Sequence, residues 1–147
     1  MAYSSLGKDP LIISHNTKGL NIPEKRTSLL RELKRGKPHF VFLQETHFKT
    51  GQIQKLTDTY FTAAHHATND KAKTKGVTIL VSRDAPFTLT DRLIDPEGRY
   101  VVLKGTYLGK PITLGNAYFP NYRTCHLLQE TYARTDGIHV RSPYTGW

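Results

Sequence analysis

Phe40-Val41-Phe42-Leu43 is the stretch that most limits what this chain can fold into. Four apolar residues in a row, with no polar residue at alternate positions, fit a strand buried on both faces. The segment before it has a different period. Leu29, Leu30 and Leu33 fall at helical spacing, with Lys25, Arg26, Arg31, Lys34 and Arg35 around them. Pro23 stands where a helix can begin, because the first helical N–H groups have no intrahelical acceptor to lose. Glu24 suits the positive end of such a helix, and Gly36 and Pro38 close it. The spacing predicts an amphipathic helix over 24–35. A short β-type run, Leu11 to Ser14, precedes it, so strand, turn, helix and strand make a βαβ-like unit.

Beyond that unit the chain is mostly β. Tyr60 to His65, Val77 to Ser82, Phe87 to Leu93, Tyr100 to Leu108 and Ile112 to Phe119 read as strands, and 51–59 as a short helix. Asp95-Pro96-Glu97-Gly98 has turn chemistry, since proline presets φ and glycine tolerates positive φ. Asn69 to Gly76 reads as a polar, lysine-rich loop. The first ten residues read as a flexible lead-in, and 122–147 as an atypical, disordered tail without a long apolar run. One domain of ordinary size remains, over 11–121.

The charge balance bears on partners. Lys and Arg number 21 against 12 Asp and Glu, a net charge of +9. Such a chain favours a polyanion, and nucleic acid is the commonest one. A basic protein with no specific anion partner is the plain alternative. Cys125 is the single cysteine, so it has no intramolecular disulfide partner, and a lone cysteine argues against a cysteine-based zinc site as well. No stretch approaches the roughly 20 apolar residues of a membrane-spanning helix. An intracellular setting, the nucleus included, is the expectation.

Three candidate residues stand at the carboxyl ends of expected strands, where ligands gather on open sheets. Glu45 follows the buried strand directly. A carboxylate there suits Mg²⁺, a hard cation that takes oxygen ligands. Asn16 follows the first strand, and its amide can orient a metal or a phosphate oxygen. Tyr118, with Asn121 after it, ends the last strand and offers a hydroxyl and an amide to a phosphate. Taken singly, each has an ordinary structural explanation: a polar strand end, an Asx-turn, a core aromatic before a Pro-Asn turn. Taken together, they place an acid and neutral polar groups on one sheet edge.

These residues sit in segments that resemble the endonuclease/exonuclease/phosphatase family. The chain is most similar to the apurinic-type endonuclease of LINE-like, non-LTR retrotransposon polyproteins. The match is carried by Ile13-Ser14-His15-Asn16-Thr17-Lys18-Gly19-Leu20-Asn21, Val41-Phe42-Leu43-Gln44-Glu45-Thr46-His47, Lys75-Gly76-Val77-Thr78-Ile79-Leu80-Val81-Ser82 and Asn116-Ala117-Tyr118-Phe119-Pro120-Asn121. Asp95, Gly98, Arg99 and Tyr100 resemble the family's turn before a central strand. The resemblance implies an α/β (α+β) fold, here an incomplete four-layer sandwich of the DNase I-like type. It implies Mg²⁺-dependent hydrolysis of DNA phosphodiesters, with Glu45 on the metal, Asn16 and Tyr118 catalytic, and Asn121 and Lys75 against phosphate.

Two departures qualify the activity. Where the family often has Asp or Asn two residues after the first-motif asparagine, this chain has Lys18. The family's later Gly-Asp-x-Asn and Ser-Asp-His strings do not occur; Asp136-Gly137 and His139 lie in other contexts. The expectation is a truncated endonuclease that is inactive alone, binds Mg²⁺ weakly, and leaves the inner face of one sheet without a partner. The alternative is a non-catalytic nucleic-acid binder that uses the basic helix and the lysines of 71–75. A phosphoinositide-directed member fits the retrotransposon-like segments less well.

Overall fold

A computed structural model describes residues 9–71 and 75–118. The first eight residues, the middle of the lysine-rich loop, Asn121 and the whole of 122–147 lie outside the described residues. The elements are β1 (Ile12–Asn16), α1 (Pro23–Arg35), β2 (Phe40–Gln44), β3 (Phe61–Ala67), β4 (Val77–Ser82), β5 (Phe87–Ile94), β6 (Tyr100–Tyr107) and β7 (Lys110–Ala117).

Helix α1 begins at Pro23, carries Glu24 in its first turn and ends on Gly36, as its sequence suggests. The ending differs in detail. Gly36 is right-handed, and the left-handed residue is Lys37, at φ 48°. Position 36 is tight, because a Cβ there would stand 3.0 Å from the end of the Ile13 side chain, which would have to give by a few tenths of an ångström. Much of the helix's basic charge is already engaged. Arg26 donates to the carbonyls of Leu20 and Asn21, Lys25 to that of Lys18, and Lys34 pairs with Asp58.

The strands form two sheets. One has the order β1-β2-β4-β3, with β1 and β2 parallel and the other pairs antiparallel; the other is the antiparallel meander β5-β6-β7. The run Phe40 to Leu43 sits in the middle of the first sheet and is buried on both faces. Alternate residues serve two cores. Val41 and Leu43 join Leu20, Leu33, Phe48, Leu56, Phe61 and Leu80 on the helix side. Phe40 and Phe42 join Ile79 and Val81 against Val101, Leu103, Tyr107 and Leu114 of the second sheet. Phe40 meets Phe87 edge-on at 5.2 Å between ring centroids, a favourable aromatic geometry.

This packing corrects the expectation of an unpartnered inner face. Each sheet covers the other's inner face, so the described part has a core of its own. What stays open is the outer face of the second sheet, where Leu93 is 52% exposed and where no helix packs among the described residues. The described layers are therefore three: helix, sheet, sheet. The expected helix over 51–59 is also absent. Ile53 and Leu56 have helical spacing, but only Leu56 enters the core and Ile53 stays 42% exposed, so a single anchor holds an irregular segment down.

Candidate metal and phosphate site

Strand β2 ends on Gln44, and the next residue leaves the β region. Glu45 has φ 51°, His47 φ 62°. A left-handed conformation costs a non-glycine residue about 1–2 kcal/mol and persists only where surrounding contacts over-determine it. Here they come from both sides. On one side, Gly19 N–H donates to the Glu45 carbonyl at 2.7 Å and Leu20 N–H to that of Thr46 at 2.9 Å. The Thr17 hydroxyl lies 3.0 and 2.9 Å from the carbonyls of Gln44 and Glu45. On the other, Thr46 N–H donates to the Gly76 carbonyl and His47 N–H to that of Lys75. The Asn21 amide donates to the His47 carbonyl.

Gly76 is required by this close approach. Its φ is 114°, and a Cβ there would strike the Thr46 hydroxyl. The segments around 13–21, 41–47 and 75–82, far apart in sequence, are thus sewn into one edge by backbone hydrogen bonds.

The left-handed turn also re-aims the side chain. Strict alternation would send Glu45 to the helix side, as Leu43 is. Instead its carboxylate faces Tyr118, which packs against the core between the sheets. The Tyr118 hydroxyl donates to Glu45 Oε1 at 2.8 Å. Glu45 is half-buried, and no other partner of its carboxylate is seen among the described residues. Asn16 ends β1 in register with Gln44, one residue from Glu45 on the parallel neighbour. Its Oδ1 accepts the Lys18 N–H at 3.0 Å, an Asx-turn, and this is compatible with an amide nitrogen directed elsewhere. Lys18 is exposed, with φ 51°. Lys75 enters the edge through its carbonyl.

A buried amide pair lies directly beneath. Asn116 of β7, 1% exposed, donates from Nδ2 to the carbonyls of Leu43 and Thr78 at 2.9 and 2.8 Å. Its Oδ1 accepts from Gln44 Nε2 at 2.8 Å. The Gln44 amide nitrogen also lies 3.1 Å from the Ser14 hydroxyl. The sequence motifs include Gln44, Asn116 and Thr17 without giving any of them a role. The available signal was an amide within or ending an otherwise apolar strand.

The turn after β5 braces the same edge. Asp95, 2% exposed, accepts from the Arg99 guanidinium at 2.7 Å and from the backbone N–H groups of Arg99 and Glu97. Burial alone would raise the Asp95 pKa; these hydrogen bonds and the Arg99 charge outweigh it and hold the carboxyl below its ordinary value. The carbonyl of Arg99 then receives the Tyr118 N–H, and that of Gly98 the Gly76 N–H. Asp95 therefore fixes a turn that holds both flanks of Glu45.

Among the described residues no group of three or more His, Cys, Asp or Glu side chains is arranged to hold a metal. The donor set at Glu45 is one carboxylate with an amide nearby. It fits the type of ion, since Mg²⁺ is often held by one or two carboxylates together with water and substrate phosphate. It is too sparse for a tight, all-protein cage.

No sequence-family model matches the chain. Solved structures do match. The AP endonuclease LMAP from Leishmania major aligns with 80% of this chain and 43% of its own length, at 19% identity and a TM-score of 0.57. The endonuclease domain of TRAS1, a telomere-specific non-LTR retrotransposon, aligns over 86% and 56% at 17% identity and 0.57. Truncated TDP2 from Caenorhabditis elegans aligns over 90% and 59% at 21% identity and 0.59.

This chain shares the fold of these structures over the aligned part. It is an α+β fold of the DNase I-like type, and the chain spans about half the length of the structures it matches. In that fold, the segments after β1 and β2 and the residue after β7, Tyr118, meet at one edge around Glu45. No helix of the described residues is long and apolar enough to cross a membrane.

Proposed function

We propose that this chain is part of a divalent-metal-dependent nuclease of the retrotransposon endonuclease type, and that its Glu45 edge binds metal and DNA phosphate together. The observation that carries this reading is the convergence of Glu45, Asn16 and Tyr118 on one edge, with Glu45 held left-handed so that its carboxylate meets the Tyr118 hydroxyl. A structural carboxylate has no need of that strained backbone. A Mg²⁺ ion held by Glu45 would offset negative charge on a phosphodiester oxygen.

The chain's own residues then have distinct tasks. Glu45 supplies the anionic oxygen. Tyr118 holds one carboxylate oxygen and orients the other, and its single hydroxyl proton would pass to a phosphate oxygen only in exchange for the bond to Glu45. Asn16 offers an amide from the neighbouring strand end. Lys75 and Asn121 are assigned to phosphate contacts, and Lys18 adds positive charge on the exposed rim. The chain taken alone is assigned binding without cleavage, because the described residues bring no group of three or more His, Cys, Asp or Glu side chains together to hold a metal.

The test combines binding and cutting. Anisotropy of a labelled DNA duplex should rise on adding the full chain, weaken steeply with salt, and be enhanced by Mg²⁺ in the wild type but not in Glu45→Gln. Supercoiled plasmid should stay intact. Binding that ignores Mg²⁺ would leave only a basic DNA-binding fragment, and Mg²⁺-dependent nicking abolished by Glu45→Gln would overturn the assignment of inactivity.

A further inference from the structure

Glu45 and Tyr118 belong to different sheets, so their 2.8 Å contact depends on how one sheet is docked on the other. Apolar packing between sheets is tolerant of small slides, because it is non-directional. Directional bonds are not. Two side-chain amides that cross between the sheets stand immediately beside this contact: Gln44 precedes Glu45, and Asn116 lies two residues before Tyr118.

The orientation of the pair follows from its neighbours. Asn116 has two carbonyls within reach, those of Leu43 and Thr78, and only its NH₂ group can donate to them. Its oxygen must then face Gln44, which fixes Gln44 with its nitrogen toward Asn116. In this way β7 is tied by three hydrogen bonds to β2 and β4. Gln44 Oε1 is buried without a hydrogen-bond partner among the described residues. A buried amide oxygen left unpaired costs about 1–3 kcal/mol.

We propose that Gln44 and Asn116 are positioning residues: the amide pair sets the register of the two sheets at their shared edge and thereby holds Tyr118 on Glu45. The inference rests on the reading of that edge as a metal and phosphate site for its consequence, though not for its geometry. If it holds, loosening the pair releases the Glu45 carboxylate from its orientation while leaving the apolar core in place. Partners that orient a metal ligand from behind typically matter by about 10–100-fold in metal affinity.

The experiment uses the full chain with carbon-labelled tyrosine, and the Cζ chemical shift of Tyr118 as readout. Tyr118→Phe assigns the signal, and Glu45→Gln defines its position when the bond to the carboxylate is weakened. Gln44→Met and Asn116→Ala are then compared, with thermal unfolding recorded for each. The proposal expects folded variants whose Tyr118 signal moves toward the Glu45→Gln position, and a midpoint for Mn²⁺ binding at least about tenfold weaker. A signal that stays at the wild-type position while the melting temperature falls would assign the pair to stability alone and overturn it. So would loss of folding in both variants. The two readings separate cleanly. A wild-type chain that binds no Mn²⁺ at Glu45 defeats the metal site and leaves the positioning result standing, whereas Mn²⁺ binding with an unmoved Tyr118 signal does the reverse.

Discussion

Replacing Asp95 by Asn should cost more than any exposed charge in the molecule. The Asp95 oxygens accept from Glu97 N–H, Arg99 N–H, Arg99 Nε and, at 3.4 Å, an Arg99 terminal nitrogen. The substitution turns one oxygen into a donor, so one set of these bonds is lost and Arg99 faces a neutral group. Hydrogen bonds to a charged partner are worth about 1.5–3 kcal/mol each. The Arg99 side chain is 29% exposed, so water restores part of its solvation. A net loss of about 2–4 kcal/mol follows, or roughly 10–20 °C in melting temperature for a domain of this size. Urea unfolding followed by circular dichroism gives the number. The control is Glu97→Gln, whose carboxylate also approaches Arg99, at 3.4 Å, but is 61% exposed; it should cost under about 0.5 kcal/mol. Asp95→Asn should also blunt acid unfolding. Because the Asp95 pKa is lowered in the fold, its contribution is complete above the ordinary carboxylate value of 3.8 and is lost as pH falls below it toward the folded value. If Asp95→Asn matches the wild type within about 0.5 kcal/mol, or if Glu97→Gln is equally costly, the Asp95 carboxylate does not hold the turn.

Other predictions concern different parts of the edge. Burial, and then the charge of His65, lower the His66 pKa from 6.5 to about 4. The unfolded chain then binds a proton that the folded chain refuses, so stability should fall as pH drops from about 6.5 toward 4, by up to ~3 kcal/mol. In His66→Gln that slope should shrink, and an unchanged pH profile would show that His66 does not carry it. Gly76→Ala should destabilise by about 2–3 kcal/mol, since the residue is both strained in φ and driven into Thr46. Adding Thr46→Ala should recover the steric part only; a fully stable Gly76→Ala would contradict the close approach. Leu103→Ala, at the fully buried interface between the sheets, should cost about 2–5 kcal/mol in the same assay, and a change under 1 kcal/mol would mean the two sheets are not packed on one another.

Much of this fold was legible because its strongest signals are local. Phe40 to Leu43 could be read as doubly buried from four residues, and Pro23, Glu24 and Gly36 marked the ends of α1. The segment 51–59 misled because Ile53 and Leu56 have helical spacing, while a single buried leucine is enough to pin an irregular chain. The covered inner faces were not legible either, since they depend on how β5-β6-β7 folds back on the first sheet, a long-range event with no local mark. At the edge, the strand-end positions of Glu45, Asn16 and Tyr118 were visible. The left-handed turn at Glu45 was not, because Glu has no preference for it; the conformation is imposed by Gly19, Thr17 and Gly76 through backbone contacts. The Gln44–Asn116 pair was hidden for the same reason, its partners being 72 residues apart.

The most direct test of Glu45 as a metal ligand is paramagnetic broadening by Mn²⁺, a stand-in for Mg²⁺, in the amide spectrum of the full chain. Broadening should centre on residues 16–19 and 45–47, be reversed by excess Mg²⁺, and vanish in Glu45→Gln while the rest of the spectrum is preserved. Broadening that is spread over the acidic surface, or that survives Glu45→Gln unchanged, would contradict the account.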